Sequence, residues 1–142
     1  TNGKASKSDS QWQKLVRAQE NGYIMTAGTG VTDETEEMGL ATGHAYTLSH
    51  VYDCFPNNES QRIRLVNIRN PWGNGEWTGD YRDDDKKHWT SNLIKEIQRI
   101  NPSFKFESKD DGEFFMTYED FCKYYVVMGI CHIYNNYEYF HS

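Results

Sequence analysis

The chain has 142 residues, 15% of them aromatic, and a formal net charge of −6. That length suits one domain with a modest core, and the aromatic content suits a folded, β-rich chain rather than a disordered one. The acidic balance argues against a nucleic-acid binder, no apolar run approaches the roughly 18 residues of a membrane span, and the polar start TNGKASKSDSQ is no signal peptide.

The first predicted element is a helix carrying Trp12, Leu15, Val16 and Gln19, capped by Asp9 or Ser10 and stopped at Gly22. Tyr23 to Ala27 follows as a strand. The stretch GTGVTDETEEMGLATG, residues 28–43, is glycine-rich, acidic and without periodicity, which predicts a long mobile loop; loops of that length in compact domains are usually functional or disordered. Residues 44–52, HAYTLSHVY, then alternate as a strand, with His44, Tyr46, Leu48, His50 and Tyr52 on one face. In RIRLVNIRN, residues 62–70, Val66, Ile68 and Asn70 share one face while Ile63 and Leu65 fall on the other. This strand is therefore covered on both sides or bulged.

Pro56, Asn57 and Asn58 between the two strands are strong turn formers. A hairpin centred near Asn57 sets Tyr46 opposite Ile68, Leu48 opposite Val66, and His44 opposite Asn70. Directly opposed side chains in an antiparallel pair have Cβ atoms about 4.5–5.5 Å apart, so this imidazole and this amide can share a hydrogen bond. In Cys-His-Asn hydrolases the imidazole takes the thiol proton and the amide oxygen holds the ring in its working tautomer. Pro71 disfavours helical geometry at Asn70, and Trp72 is placed to cover the His–Asn hydrogen bond from water.

Further along, SNLIKEIQRI (91–100) is an amphipathic helix whose Leu93, Ile94, Ile97 and Ile100 pack on the sheet. Gly112 to Met116 reads as a strand and Tyr118 to Tyr124 as a short helix, capped by Thr117 with Asp120 at its third position. VVMGICHIY, residues 126–134, is a buried closing strand. Taken together these elements predict an α+β, β-rich fold: a twisted antiparallel sheet or open barrel with a few short helices. Three cysteines, Cys54, Cys122 and Cys131, without a CxxC spacing fit reduced thiols in an intracellular (cytoplasmic) protein. His50, His88, His132 and His141 read as structural or surface residues.

GHAY at 43–46, IRNPWG at 68–73, EWTG at 76–79 and DGEFFMTYEDF at 111–121 resemble the calpains, the calcium-dependent papain-like cysteine proteases. The resemblance runs through nearly the whole chain and matches the second half of the calpain protease core, its β-rich subdomain. It implies a linker from the preceding half-core over residues 1–11, the core subdomain over 12–134, and a tail or linker over 135–142. It makes His44 the catalytic base, Asn70 its orienting partner and Trp72 the tryptophan that shields the pair. The loop before His44 falls on a loop that gates the substrate cleft. The half bearing the nucleophilic cysteine and the oxyanion-hole glutamine is not represented, and none of the three cysteines here takes its place.

Calcium takes six to eight hard oxygen ligands. The acidic residues around Gly112 do not follow the EF-hand pattern. The resemblance instead implies a calcium site formed by Glu76, Asp83, Asp111 and Glu113, with the Lys109 carbonyl, leaving Asp84, Asp85 and Asp110 as solvated neighbours. The expected function is the His/Asn half of a calcium-dependent intracellular endopeptidase acting on protein substrates, inactive without its partner half-core. The alternative is a catalytically dead calpain-like module used for calcium binding or protein interaction.

Overall fold

The computed structural model describes residues 3–57, 61–71, 76–106, 112–131 and 137–141. Helix α1 (Gly3–Glu20) leads into β1 (Ile24–Thr29), α2 (Asp33–Glu37), β2 (Ala45–Cys54) and β3 (Ile63–Arg69). Then come α3 (Ser91–Ile100), β4 (Glu113–Thr117), α4 (Tyr118–Tyr124), β5 (Tyr125–Cys131) and β6 (Tyr137–His141). The strands form one antiparallel sheet in the order β4-β3-β2-β1-β5-β6, which among the described residues stays open rather than closing into a barrel. This is the α+β, β-rich class expected from the sequence.

Both faces of the sheet are covered. Val66 and Ile68 of β3 join one core with Trp12 and Leu15 of α1 and Phe121 of α4. Leu65, pointing the other way, joins a second core with Leu93 and Ile97 of α3 and Phe115 of β4. Burying each such side chain contributes about 1.5–3 kcal/mol, so a central strand covered twice carries apolar residues on both faces.

β2 departs from the strict alternation predicted for it. Leu48 pairs with Ile68 but His50 pairs with Asn67, so Ser49 is the extra residue of a bulge. Past it the faces exchange: Tyr46, Leu48 and Val51 lie in the first core, Tyr52 and Cys54 in the second. The register changes as well, since Leu48 faces Ile68 and Val51 faces Val66. The bulge is held from far away in sequence. Gln19 Nε2 donates to the Val51 carbonyl (2.9 Å), and the Val51 N–H donates to Gln19 Oε1 (2.7 Å). Gln19→Ala is expected to lower unfolding stability by about 1–3 kcal/mol, because it strips a buried N–H and C=O of their partner. Urea unfolding that shows no loss would mean that these two bonds do not hold the bulge.

Three further expectations change. Helix α1 begins at Gly3, well before the predicted caps, so much of the expected 1–11 linker is helical. Asp9 instead accepts from Arg64 (3.1 Å), whose guanidinium lies over the rings of Trp12 (5.6 Å) and Tyr118 (4.8 Å) and donates to Glu119 (2.8 Å). The stretch 28–43 is not a bare loop but contains α2, capped by Thr32 accepting from the Thr35 N–H (3.1 Å). Residues 137–141, read as part of a tail, pair with β5. Helices α3 and α4 form where predicted, and Thr117 Oγ1 accepts the Asp120 N–H (3.1 Å) as expected.

Candidate active site

His44 stands half-buried just before β2, and Asn70, 5% exposed, just after β3. The ladder between the two strands ends at Thr47 opposite Arg69. Beyond that end the side chains meet, His44 Nε2 lying 3.2 Å from Asn70 Oδ1. The predicted contact therefore forms, although through a register that the bulge has shifted. A carboxamide oxygen can only accept, so Nε2 is the protonated nitrogen and Nδ1 the basic one. Asn70 is itself anchored, its N–H donating to the Gly112 carbonyl (2.8 Å). The Tyr46 ring stands edge-on to the imidazole with centroids 5.0 Å apart. Trp72 lies outside the described residues.

One polar residue at this site left no signal in the sequence. Thr29, at the end of β1 and 5% exposed, bonds the backbone of His44 on both sides. Threonine in a strand is unremarkable by propensity, and only the fold brings it to the histidine.

Cys54 and Cys122 are unsuited to act as the nucleophile. Burial, then the charges of Glu96 and Asp53, pushes the Cys54 thiol up to about 12, and it sits in the second core. Burial also raises the Cys122 thiol. A reactive thiol is shifted the opposite way by its imidazole. Cys131 lies in β5 opposite Ile24 of β1.

The acidic loops converge in part. Glu76 Oε2 accepts the Gly112 N–H (3.2 Å), tying the loop after the Asn-Pro turn to the start of β4. Asp83 and Glu113 line one cavity of about 300 Å³, with His50, Asn67, Trp89 and Phe115. Burial lowers the His50 pKa, and the negative charge of Glu113 opposes that shift. Lys109 and Asp111 lie outside the described residues. Among those described, the metal-ligand types that gather most tightly are Asp80, Asp85 and His88, with ligand atoms within 4.8 Å of one another.

That cluster corrects the reading of Asp85 as solvated. Asp85 is 4% exposed, and its Oδ2 accepts from the Tyr81 N–H (2.8 Å) and His88 Nδ1 (2.6 Å). Its Oδ1 accepts from the N–H groups of Lys87 and His88, both at 3.2 Å. The carboxylate is thus satisfied by the protein itself and shapes the turn that carries Asp83. His88 is held against Asp85 by its ring and its N–H.

The loop before His44 and the loop bearing Glu76 are packed together. Gly39 has φ +85°, and a Cβ there would lie 2.4 Å from the Glu76 carbonyl oxygen, so only glycine fits. Beside it the Thr78 N–H donates to the Met38 carbonyl (3.0 Å).

The family described as "Calpain family cysteine protease" matches residues 2–132. The chain belongs to the calpain family. It is 34% identical over 110 residues to calpain-9 of Rattus norvegicus, covering 78% of this chain and 15% of that protein. With calpain-14 of Homo sapiens it shares 34% identity over 120 residues, 84% of this chain and 16% of the relative. With calpain-5 of Mus musculus it shares 28% over 141 residues, 92% of this chain and 21% of the relative. The calpain-family chain therefore spans about a fifth or less of the length of these relatives. The family is one of thiol proteases, hence of hydrolases. No helix of the described residues is long and apolar enough to cross a membrane.

Proposed function

We propose that this calpain-family chain supplies the histidine and asparagine of a cysteine endopeptidase, and that the nucleophilic cysteine lies in a part of the protein outside residues 1–142. The observation that carries the reading is the 3.2 Å contact between His44 Nε2 and Asn70 Oδ1. With Nε2–H given to the amide, Nδ1 is the nitrogen that takes the thiol proton. The resulting thiolate attacks the scissile carbonyl, and the imidazolium returns its proton to the leaving amine. Asn70 keeps the ring in one tautomer and orientation throughout without adding a negative charge. Its own anchoring through Gly112 links the pair to β4. The substrates of this reading are polypeptides, and the remaining wall of the cleft comes from the cysteine-bearing half-core. The chain alone, without that half-core, hydrolyses nothing.

Calcium dependence belongs to the same proposal. Glu76 and Asp83 on one loop and Glu113 at the start of β4 are hard oxygen donors, and the Glu76–Gly112 contact already joins that loop to the strand. Their oxygen chemistry suits a divalent, oxygen-seeking ion, with Asp111 and the Lys109 carbonyl as the further ligands of the family pattern. A bound ion offsets the mutual repulsion of the carboxylates and fixes the loop to the strand. Because Gly39 and Met38 pack on residues 76–78, ordering the Glu76 loop also steadies the segment before His44.

Calorimetric titration of the chain with CaCl₂ is expected to show binding with a Kd of roughly 10⁻⁵–10⁻³ M, the range for sensor and weaker extracellular oxygen-ligand sites. Glu76→Ala and Asp111→Ala should each weaken it. No heat at millimolar calcium, or indifference to both substitutions, would leave these residues as an acidic surface. Incubation of the chain alone with casein and calcium tests the other half of the proposal, since cleavage abolished by His44→Ala would contradict it.

A further inference from the structure

Thr29 closes β1 on the buried face of the sheet, where strand burial ordinarily selects an apolar residue. Its contacts account for the hydroxyl. Oγ1 accepts the His44 N–H (3.0 Å) and donates to the Ala41 carbonyl (2.6 Å). The Thr29 N–H donates to the His44 carbonyl (3.0 Å). One residue thus engages both backbone polar groups of the histidine. Around this junction Ala41 N–H donates to the Tyr46 hydroxyl (2.9 Å), and Gly43 N–H donates to the Gly30 carbonyl (3.2 Å).

The pairing of β1 with β2 has its last register partners at Gly28 and Ala45. His44 lies one residue past that point, and its imidazole must still reach Asn70 at 3.2 Å. The Thr29 hydroxyl takes over the fixing of the backbone where the ladder stops. Threonine suits the task for two reasons: its branched Cβ restricts χ1, and its hydroxyl donates and accepts at once.

We propose that Thr29 is a positioning residue for His44, setting the backbone from which the base reaches both Asn70 and the thiol. The inference rests on the His44–Asn70 reading of the active site. Catalytic geometry tolerates little displacement, with about 1 Å of misplacement worth about 10²-fold in rate. Valine at position 29 keeps the shape and loses both hydroxyl bonds; serine keeps the hydroxyl.

The test compares Thr29→Val, Thr29→Ser and His44→Ala in the full-length protein with a peptide substrate. Thr29→Val is expected to lower kcat by about 10- to 100-fold with KM nearly unchanged, and Thr29→Ser to recover most of that loss. Histidine-selective ¹⁵N NMR of the same proteins should show a single Nε2-protonated tautomer for His44 in wild type and Thr29→Ser, and tautomer averaging in Thr29→Val. If His44→Ala retains activity, the active-site reading itself fails. If His44→Ala is inactive while Thr29→Val matches wild type in kcat and imidazole spectrum, the role of Thr29 fails alone. A loss in Thr29→Ser as large as in Thr29→Val would also overturn it. Should Thr29→Val not fold, the wild-type His44 amide decides: slow hydrogen exchange supports the Oγ1 bond, and exchange at open-loop rates refutes it.

Discussion

His44→Ala in the full-length protein is expected to reduce kcat by about 10²–10⁴-fold, the usual contribution of a general base placed on the reacting proton. The Nε2–Oδ1 contact fixes Nδ1 as the basic nitrogen. Without the ring, the thiol has no acceptor for its proton and the departing amine has no donor. At about 1.36 kcal/mol per decade, the loss corresponds to about 2.7–5.4 kcal/mol of transition-state stabilisation. Asn70→Ala should lose less, because the imidazole remains and only its tautomer and orientation are freed. Both effects should fall on kcat more than on KM, since neither side chain is proposed to bind the peptide. Initial rates at saturating peptide, together with thiol titration to count intact nucleophiles, measure this directly. A His44→Ala protein within about two-fold of wild type would assign the base to another residue.

Asp85→Ala is expected to destabilise the fold by about 1–3 kcal/mol, the range for leaving buried hydrogen-bond donors without their acceptor. Burial by itself would raise this carboxyl, but the Tyr81 N–H, the His88 ring and the His88 N–H together outweigh it and hold the pKa at about 2. The turn it organises supports the second core, where Trp89 Nε1 donates to the carbonyls of Tyr81 (3.1 Å) and Arg82 (3.0 Å). The direction of the pH dependence follows from the depressed value. An unfolded aspartate titrates at about 3.9, so as pH falls the unfolded chain takes up this proton first. The stabilisation is fully present above that value and disappears as pH drops towards about 2. Asp85→Asn, which cannot take part in this linkage, should therefore differ most from wild type above about pH 5, with the gap narrowing in acid. Chemical unfolding across this pH range tests it. A gap that stays constant down to pH 2 would mean that hydrogen bonding to the ionised form is not what Asp85 contributes.

The sequence by itself determined the parts of this protein that depend on neighbours in the chain. Helix α3 follows from its apolar spacing, and α4 from a threonine cap whose Oγ1 meets the N–H three residues on. Those are local interactions, complete within one or two turns. The motif residues His44 and Asn70 were legible too, because each stands at a strand end beside a residue with distinctive backbone behaviour, a permissive glycine before one and a restrictive proline after the other. Glu76, Asp83 and Glu113 were legible as carboxylates in family order, although the joining of Glu76 to Gly112 and the cavity shared by Asp83 and Glu113 belong to the fold.

Tertiary structure decided the rest. The bulge at Ser49, which exchanges the faces of β2, is clamped by Gln19 from a different element, and no property of the segment 44–54 encodes that partner. Asp9 is likewise reached by Arg64 from β3 rather than capping a helix start. Asp85 and Asp84 are adjacent aspartates of the same chemistry, yet one is buried under four donors and the other exposed. Thr29 finds His44 across fifteen residues of chain. In each case a polar group's meaning is set by which distant donor or acceptor reaches it. Distances of that kind exist only once the sheet is assembled.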